Sequence, residues 1–80
     1  MENKIAVIGI IVENPDSVET LNQTLHNYSD IIIGRLGLPY KERSVNIISV
    51  AVDAPENRIN ELTEKIGGID GVSSNAAVSN

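Results

Sequence analysis

The chain has 80 residues, with eleven Asp and Glu against six Lys and Arg, one His, two Tyr and no Cys, for a net charge of −5. That length makes one domain with one core, burying only about 60% of the surface that the unfolded chain exposes, and association is a common remedy at this size. A disulfide framework, a thiolate metal site and a cysteine nucleophile are excluded, and the negative charge argues against direct contact with a nucleic-acid backbone.

Lys4 to Val12 is nearly all apolar and rich in Ile and Val, which predicts a strand buried on both faces. The run from Ile5 is too short to span a bilayer and lacks a small-residue cleavage site. The expectation is therefore a soluble, cytoplasmic protein with no membrane partner. Glu13-Asn14-Pro15-Asp16 breaks the strand, and Asp16 with Glu19 has the form of a capping box. Val18, Leu21, Leu25 and Tyr28 then recur at spacings of a helix with one apolar stripe, ended by Asn27, Ser29 and Asp30.

Asp30 to Leu38 predicts a second strand. Gly34 and Gly37 lie inside it, and a strand glycine marks a bulge or a close backbone approach. Leu38 to Arg43, containing Pro39, reads as a connector. Ser44 to Val52, rich in β-branched residues, is the third strand. Asp53-Ala54-Pro55 opens a second helix, with Asp53 or Ala54 at its cap and Ile59, Leu62 and Ile66 as its buried stripe. Gly67-Gly68 stops that helix, one glycine taking the left-handed conformation. Ile69-Asp70-Gly71 turns the chain into a last strand from Val72 to Val78.

The order βαββαβ predicts an α+β, ferredoxin-like domain over residues 1–80, with a four-stranded antiparallel sheet and two helices on one face. In the first strand Ile5, Val7 and Ile11 share one face, while Ala6, Ile8, Ile10 and Val12 share the other. Helices can cover only one of these. A bare apolar sheet face drives association, so a homo-oligomer packed through the sheet face or edge is expected.

Polar chemistry concentrates between Leu25 and Arg43, which hold the one His, both Tyr and three of the six basic residues. His26 falls in the last helical turn, where it can satisfy a carbonyl and the helix dipole or contact a ligand. Tyr28 lies on the apolar stripe, as a core residue with its hydroxyl at the edge. Arg35 shares strand parity with Ile31 and Ile33 and so needs a partner. Glu42 or Asp30 can provide one. Alternatively, Arg35 with Lys41 or Arg43 clamps a carboxylate or phosphate while Tyr40 covers its apolar part. The candidate ligand-binding set is His26, Tyr28, Arg35, Tyr40 and Arg43. Catalytic residues are not expected: no carboxylate is evidently placed to orient His26, there is no nucleophile elbow, and Glu13-Asn14-Pro15 stands where a phosphate loop would follow the first strand.

The segments His26-Asn27-Tyr28-Ser29, Ile33-Gly34-Arg35-Leu36-Gly37-Leu38-Pro39-Tyr40 and Glu42-Arg43 resemble a small bacterial family labelled as iron-only hydrogenase system regulators. Lys65-Ile66-Gly67-Gly68-Ile69-Asp70-Gly71-Val72 resembles that family's second-helix exit, and the likeness runs to about Val78. The resemblance implies a stand-alone ACT-like or ferredoxin-like domain. It also implies kinship in shape with the oligomerising, metal-sensing C-terminal domain of nickel-responsive regulators. Two departures stand against a repressor of that kind. These 80 residues are expected to hold no ribbon-helix-helix segment and no spare length for one, and His26 supplies one metal ligand per subunit at most.

The expected function is a non-enzymatic regulatory or ligand-sensing domain, homo-oligomeric and cytoplasmic, without nucleic-acid contact of its own. Near residues 26 to 43 it would bind a small anionic metabolite, or a metal shared between subunits; no cofactor is specified. The alternative is a ligand-free adaptor that binds a redox or maturation protein.

Overall fold

A computed structural model describes residues 2–80. The elements are β1 (Asn3–Val12), α1 (Val18–Asn27), β2 (Ile32–Tyr40), β3 (Val45–Pro55), α2 (Glu56–Gly67) and β4 (Val72–Val78), with single 3-10 turns at Pro15–Ser17 and Lys41–Arg43. The sheet order is β2-β3-β1-β4, and every neighbouring pair is antiparallel. This is the βαββαβ arrangement that the element order predicts.

Side-chain alternation divides the sheet. Ala6, Ile8, Ile10 and Val12 of β1 and Ile48, Val50, Val52 and Ala54 of β3 are buried. They form one cluster with Leu21 and Leu25 of α1, Tyr28 at its end, and Ile59, Leu62 and Ile66 of α2. The intervening Ile5, Val7 and Ile11 stay 45–48% exposed. β1 is thus buried on one face and not on both, because both helices lie on the same side.

The junction before α1 is built differently from the expected capping box. The Asn14 side chain, not that of Asp16, accepts the backbone N–H of Asp16 at 3.0 Å and opens the 3-10 turn. Asn14 Nδ2 also donates to Asp70 Oδ2 at 2.8 Å, the Ser17 hydroxyl donates to the Asp70 carbonyl, and the Glu13 N–H donates to the Gly71 carbonyl at 2.7 Å. These bonds tie the exit of β1 to the turn before β4. They bring Gly71, at φ +69°, so close to Asn14 that a Cβ on it would lie 2.6 Å from Asn14 Cβ. The left-handed glycine is therefore Gly71 and neither member of the Gly67-Gly68 pair; Gly68 has φ −83°. β3 also outruns its expected end: Asp53 pairs with Ile5 as a strand residue, and Pro55 takes the cap position of α2.

β2 contains a bulge. Ile32 pairs with Val52 but Gly34 pairs with Ala51, so Ile33 is an inserted residue. The insertion reverses the parity of all that follows. Arg35 comes opposite Val50 on the helix-facing side, while Leu36, Leu38 and Tyr40 come opposite Ser49, Ile47 and Val45 on the open side. The strand continues through Pro39 to Tyr40, which an edge strand tolerates because an outward position needs no N–H.

Gly71→Ala is expected to lower stability by about 2 kcal/mol, from the left-handed backbone cost together with the Asn14 contact. Urea unfolding checks this: the midpoint should fall at unchanged slope.

Candidate functional site

Two surfaces carry chemistry, one on each side of the sheet. The first is the open face. Leu36 and Leu38 are 74% and 60% exposed, and with Ile5, Val7, Ile11, Tyr40 and Ile47 they cover adjacent strands β1, β3 and β2. Near one end, Tyr40 and Arg43 line a hollow of 400 Å³ together with Ile11, Glu13, Val45 and Ile47.

The second surface lies between α1 and the helix-facing side of β2. Asn22 and His26 of α1, four residues apart, lie beside the apolar stripe rather than on it, and Ser29 follows in the turn after the helix. With Leu25, Ile32 and Arg35 they line a concavity of 370 Å³. The Arg35 guanidinium reaches across and donates to Asn22 Oδ1 at 3.1 Å. Beyond that bridge a second hollow of 260 Å³ continues past Gly37, Pro39 and Asn46. Gly37 floors it without a side chain, and a Cβ there would meet nothing within 4 Å.

The five residues singled out in the sequence therefore fall in three places. His26 and Arg35 share the α1–β2 groove, and Tyr40 and Arg43 share the open-face hollow. Tyr28 is buried beneath two cations, with Arg58 and Lys65 lying 5.4 and 5.3 Å from its ring centroid. Its role is packing, with cation–π contacts at the rim. Sequence reasoning missed Asn22. The signal was present in the i, i+4 pair Asn22 and His26, but the residue facing it across the groove depends on the bulge.

Neither carboxylate considered as a partner for Arg35 takes that place. Asp30 is bound to Arg58, whose Nη1 donates to its carboxylate at 2.7 Å. Among the described residues the other ion pairs are Lys4–Glu56 and Lys65–Glu61, so Arg35 belongs to none. The hydrogen bond from Arg58 holds the Asp30 carboxyl below its ordinary value of 3.8, and the same bond raises Arg58.

An antiparallel ferredoxin-like domain with one bare sheet face and a small polar groove under one helix is the form of a binding or assembly module. Among the described residues no helix is long and apolar enough to cross a membrane. The chain belongs to the TM1266-like family, described as "Iron-only hydrogenase system regulator, putative", whose model matches residues 4–76. An uncharacterised protein of Thermotoga maritima, TM1266, superposes with a TM-score of 0.93 at 28% identity, over 99% of this chain and all of that one. Proteins of Saccharolobus solfataricus and Saccharolobus islandicus, each named "Putative nickel-responsive regulator", are 30% identical over 66 residues. The match takes in 82% of this chain and 49% of each relative, so the chain spans about half the length of the curated relatives it matches.

The nickel in those names is a poor fit to this protomer. A nickel site of that kind wants several imidazole or thiolate ligands. Here there is one His and no Cys, and among the described residues no three of His, Asp and Glu converge.

The Asp30–Arg58 bond predicts a specific acid response. A lowered folded-state pKa contributes stability above the unfolded value and loses it as pH falls through the folded value. The stability advantage of the wild type over Asp30→Asn should be full at pH 6 and shrink as the pH drops below the ordinary carboxylate value of 3.8. Parallel urea titrations at several pH values read that difference directly.

Proposed function

We propose that this chain is a small regulatory domain, serving an iron-only hydrogenase system, that works as a homo-oligomer assembled through its open sheet face and responds to a small ligand. The family supports the regulatory reading. The observation that carries the assembly is the run of exposed Ile, Val and Leu across β1, β3 and β2.

A second copy of the chain is the fitting occupant of that face. The central positions opposite one another, Val7 with Ala51, Gly9 with Ser49 and Ile11 with Ile47, are uncharged; Asp53, opposite Ile5, lies at the margin. A chain of net charge −5 can meet its own copy through such a face without like-charge contacts at the centre. Four strands about 4.8 Å apart, with about seven residues of each at ~3.3 Å, offer roughly 450 Å² per copy. A face-to-face pair then hides on the order of 900 Å² before side-chain relief is counted, just under the ~1,000 Å² lower bound for a specific interface. The ligand response would follow if one subunit arrangement bound the ligand better than another. The ligand-free adaptor remains the second reading, supported by the same face, with a foreign protein in place of the second copy.

Light scattering on a sizing column tests the proposal. The wild type should run as an oligomer at micromolar concentration. The double substitution Ile11→Asp with Leu36→Asp should give a monomer with an unchanged circular dichroism spectrum, since neither side chain is in the core. A wild-type monomer at 100 micromolar would rule the assembly out and favour the adaptor.

A further inference from the structure

We infer that the groove between α1 and β2 is a binding site for a small anion bearing a carboxylate or phosphate group, held by Arg35 with Asn22, His26 and Ser29. This deepens the ligand-sensing part of the proposed function and rests on it only for its regulatory meaning.

Charge is the first reason. The chain carries eleven acidic residues, yet the six that line the main concavity include one guanidinium, one imidazole and no carboxylate. Arg35 belongs to none of the ion pairs found among the described residues. Its recorded partner, Asn22, is neutral and accepts from one nitrogen only. A guanidinium carries five N–H donors in a planar fork, so donors remain to take both oxygens of a carboxylate or two of a phosphate.

Geometry is the second. The Arg35–Asn22 bond holds the guanidinium across the groove instead of letting it extend into solvent, so part of the ordering cost of a clamp is already met before a ligand arrives. His26 and Ser29 are on the wall that Asn22 also belongs to and can add one hydrogen bond each. Leu25 and Ile32 provide an apolar wall for a short carbon skeleton. At 370 Å³ the hollow has room for an ion or a compact organic acid.

The third is the floor. Gly37 lies on the helix-facing side of β2, opposite the buried Ile48, and the space above it is open. Its φ is not in the left-handed region, so a side chain is compatible with the strand. Gly37 floors the hollow beyond the Arg35–Asn22 bridge, which Arg35 and Asn22 also line, so a large side chain added there crowds the guanidinium from that side without unfolding the sheet.

The test is an amide chemical-shift titration of the labelled protein with inorganic phosphate and, separately, with succinate, at constant ionic strength. Saturable shifts are expected at Asn22, His26, Ser29 and Arg35. Arg35→Gln and Gly37→Leu should each raise the half-saturation concentration at least tenfold while the rest of the spectrum stays in place. If Gly37→Leu alone disturbs the fold, Arg35→Gln decides, because its side chain is exposed and outside the core. The proposal is overturned by shifts that fail to saturate below 50 millimolar with both probes. It is equally overturned by shifts confined to Lys41 and Arg43, or by affinity that survives Arg35→Gln. Saturation by succinate and not phosphate, or the reverse, assigns the anion class. Light scattering on the same samples separates this result from the assembly: an oligomer without anion binding removes the groove as a site, whereas anion binding by a monomer removes the assembly and leaves the site.

Discussion

The two helices cover one side of a four-stranded sheet, and a strand sends alternate side chains to opposite sides. That pair of facts governs the whole molecule. Every second residue of β1 and β3 goes into the core with α1 and α2, and every other residue is left on a face that the described residues do not cover. A sequence with polar residues at the uncovered positions would make a self-sufficient monomer. This chain places Ile5, Val7, Ile11, Leu36, Leu38 and Ile47 there instead. These large apolar side chains are left 42–74% exposed in one protomer, which is the physical basis for expecting a partner surface.

The bulge at Ile33 allots β2 between the two sides. Without it, Arg35 would fall opposite Ser49 on the open face, a guanidinium in the middle of the apolar patch, and Leu36 and Leu38 would be turned to the helix side. With one inserted residue the patch is continuous from β1 across β3 to β2, and Arg35 faces Asn22 on α1. Gly34, next to the insertion, has a φ outside the left-handed region and open space where a Cβ would lie, so the bulge does not rest on its being glycine. One residue of register therefore creates both surfaces on β2 at once.

Because β2 is an edge strand, it is held by β3 on one side only. Its side chains from Arg35 to Tyr40 alternate between the groove and the open face, Arg35 and Gly37 toward one and Leu36 and Leu38 toward the other. A ligand clamped by Arg35 and a subunit packed on Leu36 and Leu38 would act on the same short length of backbone. If both proposed contacts exist, that shared backbone would be where they are coupled. Toward the other edge of the sheet, the Asn14–Asp70 and Ser17–Asp70 bonds and the close approach of Gly71 tie the β1 exit to the β4 entry.

The sequence by itself determined the element order, the helical stripes through Leu21, Leu25 and Tyr28 and through Ile59, Leu62 and Ile66, and the two-faced character of β1. These are periodicities, and a period is a property of local chain geometry that composition reveals directly. The boundaries followed less well. Asp53 or Ala54 reads as a helix cap because Pro55 follows, yet pairing with β1 carries β3 through both, since a ladder of hydrogen bonds outweighs a local capping preference. What only the tertiary structure decided was the surroundings of the chemical groups. Asp30 is bound by Arg58, twenty-eight residues away in sequence, and Tyr28 packs under Arg58 and Lys65 of α2. Tyr40 and Arg43 face away from His26 and Arg35. The contacts with α2 depend on how the two helices pack, and the division of β2 between groove and open face depends on a bulge that the sequence does not locate.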